Sequence, residues 1–368
     1  MKRTPMEPMK FVSMAALWPE NSTTSLPSQS PVSAEWEIMH TVIPPYIFIL
    51  CLLGLLFNSF VLGVFIVHKD QLTVAEIYLS NLALADFILL CGLPFWAMYI
   101  LNNFNWPYGD TLCKLVNSII IIINFYTSIY TLVMISVDRY LALVKTMKAR
   151  WLRRTLYAKV TCFILWILGL LLSMPTIVHR KVKFIMEYKT MSCILDYSHS
   201  WKLAHQILMN VMGFALPVLV IVFSSANIIK ALAQRKESVG FHDTNDKKAT
   251  VLVYAVTLVF LLCWGPFQVF TFLDTLCDVQ ALDETLWSHT LDVGGQVSVY
   301  LAFLNSALNP LLYVFSGQYF RKKVCAIYRR TTRHRRGSDM TIYQRSVVST
   351  YINRVEQIKT VVIPNVKD

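Results

Sequence analysis

Long apolar runs alternate with short polar connections along most of the chain. A bilayer core about 30 Å thick is crossed by roughly 20 residues of helix, and the chain contains seven apolar segments of about that length or longer. Only α-helices and closed β-barrels span lipid. These continuous runs lack the alternation of apolar and polar residues that barrel strands show, so helices remain. We predict an all-α membrane protein, a seven-transmembrane-helix bundle. The predicted spans are 43–67, 77–101, 115–144, 160–178, 203–229, 249–273 and 293–315.

Composition agrees with this fold class. Of the 368 residues, 55% are hydrophobic and only 15% are charged, which excludes disorder, a coiled coil and most soluble folds. The formal net charge of +12 would otherwise suggest nucleic-acid binding, but the basic residues are interrupted by apolar runs that such a domain does not need. We therefore expect no nucleic-acid partner. No cluster of a nucleophile, a base and an orienting residue lies in a soluble portion, so no enzyme is expected either.

The distribution of Lys and Arg predicts the orientation. Of the 34 Lys and Arg residues, 25 lie on the side that carries the C-terminal tail, and positive residues near span ends remain cytoplasmic. The N-terminus is therefore expected outside and the C-terminus inside. The predicted organisation is an extracellular N-terminal segment (1–42), the transmembrane bundle (43–315), an amphipathic helix on the membrane lipids (316–330) and a disordered cytoplasmic tail (331–368).

Asp86 is the only carboxylate deep in the second span. A charged side chain in a span costs roughly 2.5 to 3.5 kcal/mol on insertion scales and normally faces the bundle interior. Two interpretations stay open: a carboxylate hydrogen-bonded to neighbouring Asn and Ser, or an ion site. Neighbouring spans offer further oxygen atoms from Asn58, Ser128, Asn305, Ser306 and Asn309.

Residues in all seven spans, in the right order, resemble the landmarks of rhodopsin-like G-protein-coupled receptors. The family implies a plasma-membrane receptor whose partners are heterotrimeric G proteins, arrestin and receptor kinases. The landmarks are Asn58, Leu82-Ala83-Leu84-Ala85-Asp86, Asp138-Arg139-Tyr140, Trp166, Pro217, Cys263-Trp264-Gly265-Pro266 and Asn309-Pro310-Leu311-Leu312-Tyr313.

The same resemblance implies a switch. Asp138 is expected to restrain Arg139 at rest, while rotation about the kink at Pro266 near Trp264 opens the cytoplasmic end. Tyr140, Asn309, Pro310 and Tyr313 belong to the same set. No cofactor is expected apart from an allosteric sodium ion, which would be held by Asp86, Ser128, Asn305 and Asn309.

Four longer segments (73–79, 91–97, 138–147 and 271–276) are similar to the bradykinin receptors, nearer the type-2 members. The similarity covers about residues 40 to 330, and the weaker match outside it indicates a distant vertebrate. It implies a kinin-like peptide ligand and Gq coupling with calcium mobilisation. From Cys113 to Arg139 there are 26 positions, one more than this family usually shows, so the register within 119–123 is open.

The extracellular loops predict a pocket with two poles of opposite charge. Five acids and no Lys or Arg lie between Phe267 and Asp292, and of these acids Asp274 and Asp292 sit at span ends where they can face inward. Arg180 is expected to receive the ligand carboxylate, although a solvated loop cation is the alternative. A kinin has an amino-terminal Arg and a free C-terminal carboxylate, which suit these poles. The side chains expected to line the pocket between the poles are Trp96, Phe267, Phe270, Gln296 and Tyr300. For each of them, ordinary packing within the bundle is the alternative.

Three covalent features are also predicted. Cys113 and Cys193 both lie on the extracellular side, where an oxidising compartment favours a disulfide. Asn21 begins an Asn-Ser-Thr acceptor sequon, which predicts glycosylation. Cys325, in the amphipathic segment, is placed for palmitoylation, with a plain free thiol as the alternative.

Other receptor and transport functions remain alternatives. The nearest is a receptor for another cationic peptide, angiotensin-like or chemokine-like. Chemokine-type receptors favour an acidic, tyrosine-bearing N-terminus, whereas residues 1–40 contain no Tyr. A transporter or light-driven pump would need several ionisable groups in the membrane or a Schiff-base Lys in the seventh span, and 293–315 contains no Lys.

Overall fold

Seven long helices and one hairpin form the described part of the bundle. The computed structural model describes residues 40–67, 71–145, 153–186, 189–239, 244–316, 320 and 323–329. The helices are α1 (Ile43–Val67), α2 (Val74–Leu101), α3 (Gly109–Leu143), α4 (Thr155–His179), α5 (the consecutive segments His199–Asn210, Val211–Ala215 and Leu216–Val239), α6 (Thr244–Asp278) and α7 (Glu284–Ser316).

Six of the seven helices are longer than the apolar runs that predicted them, while α1 has the predicted bounds. Within the described residues, α1 to α6 are long and apolar enough to cross a membrane, and α7 packs along α6 and α1. The predicted seven-helix bundle is confirmed, but several predicted bounds were too short. α7 begins at Glu284 rather than at residue 293, and α6 continues to Asp278 rather than ending at 273. Asp274 and Asp292 therefore lie inside helices, not at their ends.

Local capping explains the early start of α2. Thr73 Oγ1 accepts a hydrogen bond from the Glu76 backbone N–H at 3.4 Å, and the Glu76 carboxylate accepts one from the Thr73 N–H at 2.8 Å. This reciprocal capping box satisfies two N–H groups that the first helical turn leaves without partners. α2 consequently starts at Val74, one turn before the apolar run.

A π-helical turn at Leu115–Ile120 interrupts the upper part of α3. A π turn closes i→i+5 hydrogen bonds and so holds one more residue than an α-helical turn. It therefore accommodates the additional residue between Cys113 and Arg139. The wide turn overlaps the beginning of the segment 119–123, where the sequence left the register open.

A two-stranded antiparallel hairpin covers the end of the bundle between α4 and α5. Its strands are β1 (Arg180–Ile185) and β2 (Thr190–Leu195), with Val182 opposite Cys193. The predicted disulfide is confirmed: Cys193 is bonded to Cys113, with a Cα–Cα distance of 5.7 Å. The bond fixes β2 to the first turns of α3.

Buried amides connect helices that are distant in sequence. Asn81 Oδ1 accepts from Trp166 Nε1 at 2.8 Å, and Asn81 Nδ2 donates to Thr131 Oγ1 at 3.1 Å, so that one side chain joins α2, α4 and α3. Asn58 Nδ2 donates to the Ser306 carbonyl at 2.9 Å and joins α1 to α7. Such bonds fix the rotation of each helix, because an unpaired polar group in the bundle interior costs free energy.

The chain divides into two compact units, residues 1–318 and 319–368. In the second unit, residues 323–329 are helical and Cys325 is exposed; both lie within the segment predicted as an amphipathic helix. Asn21, the tail after residue 329 and the side chain of Tyr313 lie outside the described part of the chain.

Candidate ligand pocket and switch residues

Asp274 is held by two side chains of α5, one helical turn apart. Its Oδ1 lies 3.3 Å from Lys202 Nζ, and its Oδ2 accepts from Gln206 Nε2 at 2.5 Å. Lys202 Nζ also lies 2.8 Å from Asp278 Oδ2. The acidic pole therefore contains a cation, although the segment from Phe267 to Asp292 has none. The Asp274 side chain retains 32% exposure, so it remains reachable from solvent.

Asp292, the second predicted acid, lies in α7 close to its contact with α6. It is half-buried. Two residues further on, a Cβ atom at Gly294 would stand 2.1 Å from the ring of Phe270, so α6 and α7 approach each other closely at this level. The two helices that carry Asp274 and Asp292 therefore run close together at this level.

Arg180 differs from the other cations of the hairpin. Lys181 and Lys183 are about half exposed and pair with Asp196, Lys183 at 3.7 Å; these contacts hold the pKa of Asp196 below its usual value. Arg180 is half-buried, its Nε is fully buried, and within the described residues neither an ion pair nor a hydrogen bond engages that atom. Burial lowers the pKa of Arg180 to about 10. Its Nε is thus shielded from solvent, unlike the exposed lysines of the hairpin, and its role as the receiver of a ligand carboxylate stays a prediction.

Polar groups without partners surround Arg180. Tyr197 interacts electrostatically with Arg180, and its ring centroid is 5.5 Å from that of His205 and 4.9 Å from that of His179. Tyr197 Oη and His205 Nδ1 are buried with no hydrogen-bond partner among the described residues. A phenol and an imidazole can both donate hydrogen bonds. This environment suits an anion such as a carboxylate.

The wall residues predicted from the sequence belong to packed clusters. Tyr300 is buried, and its hydroxyl donates to Gln296 Oε1 at 3.4 Å. Trp96 contacts Tyr99 edge to face at 6.1 Å between centroids, and Phe267 contacts Trp264 in the same manner at 6.0 Å. Each side chain has a packing role whether or not it touches a ligand.

The carboxylate of Asp86 is fully buried and receives three hydrogen bonds. Asn124 Nδ2 and Ser306 Oγ donate to Oδ1 at 3.2 and 2.7 Å, and Asn309 Nδ2 donates to Oδ2 at 2.8 Å. The prediction missed Asn124 as a partner of Asp86. The available signal was its position one helical turn before Ser128, on the same face of α3.

Four further oxygen atoms near this level of the bundle are buried without a hydrogen-bond partner among the described residues. They are Asn124 Oδ1, Ser128 Oγ, Asn305 Oδ1 and Asn309 Oδ1. A hard cation takes oxygen ligands, and buried oxygens without partners are costly unless something binds them. Asn124 and Asn309 both contact Asp86 through their amide nitrogens, so their unpartnered oxygens and the carboxylate are of the ligand type that a sodium ion takes.

At the other end of α3, Asp138 pairs with two cations. Arg139 Nη2 lies 3.0 Å from Asp138 Oδ2, and Arg153 Nε lies 2.9 Å from Asp138 Oδ1. Arg153, just before α4, was not predicted as a partner. Tyr140 packs against Phe223 of α5 with 6.0 Å between ring centroids.

The middle of the bundle holds the predicted kink residues. Trp264 packs in a tilted arrangement against Phe125 of α3, with 4.6 Å between ring centroids. Pro266 and Pro310 lie inside α6 and α7, where proline removes a backbone hydrogen bond and bends the helix. Asn309, next to Pro310, is one of the three donors to Asp86.

Comparison with known proteins decides the family. The sequence profile described as "7 transmembrane receptor (rhodopsin family)" matches residues 57–313. The chain belongs to this family, and within it to the bradykinin receptors. It is 45% identical over 313 residues to the B2 bradykinin receptor of Oryctolagus cuniculus, which covers 84% of this chain and 85% of the relative. It is 40% identical over 331 residues to the B1 bradykinin receptor of Homo sapiens, with 89% and 92% covered.

A third relative, the B2 bradykinin receptor of Mus musculus, is 45% identical over 302 residues, covering 81% of this chain and 77% of the relative. The predicted resemblance, nearer the type-2 receptors, is confirmed. The chain is a multi-pass membrane protein of a receptor family, not an enzyme.

Proposed function

We propose that this chain is a plasma-membrane receptor that binds a kinin-like peptide at its extracellular face and activates a heterotrimeric G protein at its cytoplasmic face. The observation that carries the proposal is 45% identity, across most of the chain, with receptors named for bradykinin. We infer coupling to Gq with calcium mobilisation from the same sequence similarity.

The charges of the pocket support a specific orientation of the peptide. Its amino-terminal Arg binds Asp274 and Asp292 on α6 and α7, and its C-terminal carboxylate binds Arg180 beside Tyr197 and His205. Charge-assisted hydrogen bonds in a partly buried site are roughly twice as strong as neutral ones. A peptide with one charge at each end is therefore oriented as well as bound.

The resting state is stabilised at two levels below this pocket. Asp138 holds Arg139 by an ion pair at 3.0 Å, and Asp86 gathers polar groups of α3 and α7. A sodium ion bound there would supply the counter-charge that the Asp86 carboxylate lacks. The buried oxygens of Ser128, Asn305 and Asn309 would complete its ligands.

The remaining features follow from the proposed orientation. The N-terminal segment is extracellular, which makes Asn21 accessible for glycosylation. The segment 316–330 lies on the cytoplasmic leaflet, where membrane lipids and palmitoylated Cys325 anchor it. The tail beyond residue 330 meets receptor kinases and arrestin.

A panel of peptides tests the function. Cells expressing the full chain would be exposed to kinin, angiotensin and chemokine peptides while calcium release is recorded. The proposal expects a response to kinins at concentrations at least about a hundredfold lower than to the other peptides, which corresponds to about 2.8 kcal/mol in binding. A stronger response to an angiotensin or chemokine peptide would favour the alternative receptor class.

A further inference from the structure

Lys202 already occupies the acidic pole of the pocket. Its Nζ lies 3.3 Å from Asp274 Oδ1 and 2.8 Å from Asp278 Oδ2, and only 17% of its side chain is exposed. The hairpin residues Lys181 and Lys183 are far more exposed, at 49% and 51%. Lys202 therefore places a largely buried positive charge where the ligand's amino-terminal cation is proposed to bind.

Both oxygens of Asp274 are engaged by α5. Oδ1 faces the Lys202 ammonium, and Oδ2 accepts from Gln206 Nε2 at 2.5 Å. A guanidinium binds a carboxylate best through two parallel hydrogen bonds that use both oxygens. An arriving Arg therefore cannot pair with both oxygens of Asp274 unless Lys202 and the neutral Gln206 give up their contacts, and Lys202 is the one that competes as a cation.

Asp278 provides a second position for the displaced ammonium. It lies one helical turn after Asp274 on α6, and its two oxygens are 3.0 and 2.8 Å from Lys202 Nζ. The lysine has a flexible four-carbon stem, so it can keep Asp278 as its counter-charge while releasing Asp274. The exchange does not require leaving an unpaired ammonium in a partly buried site, which would be costly.

We propose that Lys202 is an intramolecular competitor for Asp274, which limits the affinity that the amino-terminal cation of the ligand contributes. The inference rests on the proposed function, because it takes the ligand to be a cationic kinin-like peptide. Lys202 thereby determines specificity: it sets how strongly the receptor prefers a peptide with the first Arg over one without it.

The Lys202→Met variant tests the competition. Binding of a full-length kinin and of the same peptide lacking its first Arg would be measured on cells expressing the full chain. The variant should bind the full-length peptide about tenfold more tightly and the truncated peptide unchanged. Lys202→Arg retains the cation and should keep the parent's ratio of the two affinities. Lys183→Met removes an equal charge from the exposed hairpin and should change either affinity by less than about twofold.

A double-mutant cycle locates the effect. In an Asp274→Asn background, Lys202→Met should no longer raise the affinity for the full-length peptide, because the shared carboxylate is gone. Lys202→Gln serves if the Met variant does not reach the cell surface.

Four outcomes would overturn the inference. Weaker binding of both peptides by Lys202→Met would mean that Lys202 positions the pocket. An equal gain in affinity for both peptides would indicate general electrostatic attraction. If the parent binds kinins and Lys202→Met leaves both affinities unchanged, competition is excluded while the proposed function stays intact. A parent receptor that binds no kinin would overturn the proposed function and the inference with it.

Discussion

The ring of Phe125 on α3 occupies the space that a Cβ atom at Gly213 on α5 would need, since Phe125 Cε1 would stand 2.4 Å from it. Gly213 lies in the π-helical turn Val211–Ala215. The same ring packs in a tilted arrangement against Trp264 of α6, with 4.6 Å between centroids. One missing side chain on α5 thus allows three helices to meet at the tryptophan proposed to act in switching.

We expect Gly213→Ala to disturb this contact. The added methyl group must displace Phe125, and overpacking of this kind costs about 1–3 kcal/mol. Thermal denaturation of the detergent-solubilised receptor should show a lower Tm than the parent. Gly63→Ala is the matched control, because a Cβ at Gly63 meets nothing within 4 Å; it should leave the Tm unchanged or slightly higher. Equal Tm values for the two variants would contradict the packing role of Phe125.

A second prediction concerns the acidic pole. Hydrogen bonds to a charged partner contribute about 1.5–3 kcal/mol, so Asp274→Asn or Asp292→Asn should each weaken binding of a full-length kinin by roughly ten- to hundredfold. Radioligand competition with the full-length peptide and with the peptide lacking its first Arg would measure this. The truncated peptide should lose little affinity on either variant. A loss as large as that of the intact peptide would show that these acids do not bind the first Arg.

The apolar pattern predicted the number of helices well and their ends poorly. Hydropathy reports which part of a helix faces lipid, whereas the ends depend on capping and on polar turns outside the lipid. The Thr73–Glu76 capping box starts α2 before its apolar run, and α7 begins at Glu284, in a polar stretch that precedes its apolar run.

Contacts between helices were harder to predict. Three contacts join residues that are far apart in the sequence or separated by a turn of the chain. They are Lys202 with Asp274, Asn124 with Asp86 and Arg153 with Asp138. The hydrophobic periodicity of one helix indicates which of its faces is buried. Which side chain of the adjacent helix meets that face depends on the rotation and tilt of the adjacent helix. Lys202 lies just outside the predicted span 203–229, because α5 already begins at His199, before the apolar run that marks the span.

The third prediction concerns Arg180. Its Nε is buried beside Tyr197 and has no hydrogen-bond partner among the described residues, so a ligand carboxylate would supply an acceptor that the side chain lacks. Arg180→Ala should weaken a kinin with a free C-terminal carboxylate by at least about tenfold more than its C-terminally amidated analogue. Lys181→Ala, which removes an exposed cation from the same hairpin, should affect the two peptides equally. Equal losses for both peptides on Arg180→Ala would dismiss the assignment.

The last prediction concerns sodium. Asp86 receives hydrogen bonds only from neutral amides and a hydroxyl among the described residues, and an isolated buried carboxylate gains from a counter-charge. An effector shifts an equilibrium only if its affinity for the two states differs, so sodium that prefers the resting state must weaken agonist binding. Replacing sodium by a bulky organic cation at constant ionic strength should therefore raise agonist affinity in the parent and not in Asp86→Asn. Asn124→Ala should reduce the sodium effect without abolishing it, because it removes one neighbouring oxygen but leaves the carboxylate. Agonist affinity in the parent that does not change with sodium would exclude the ion site, leaving Asp86 as a hydrogen-bonded structural residue.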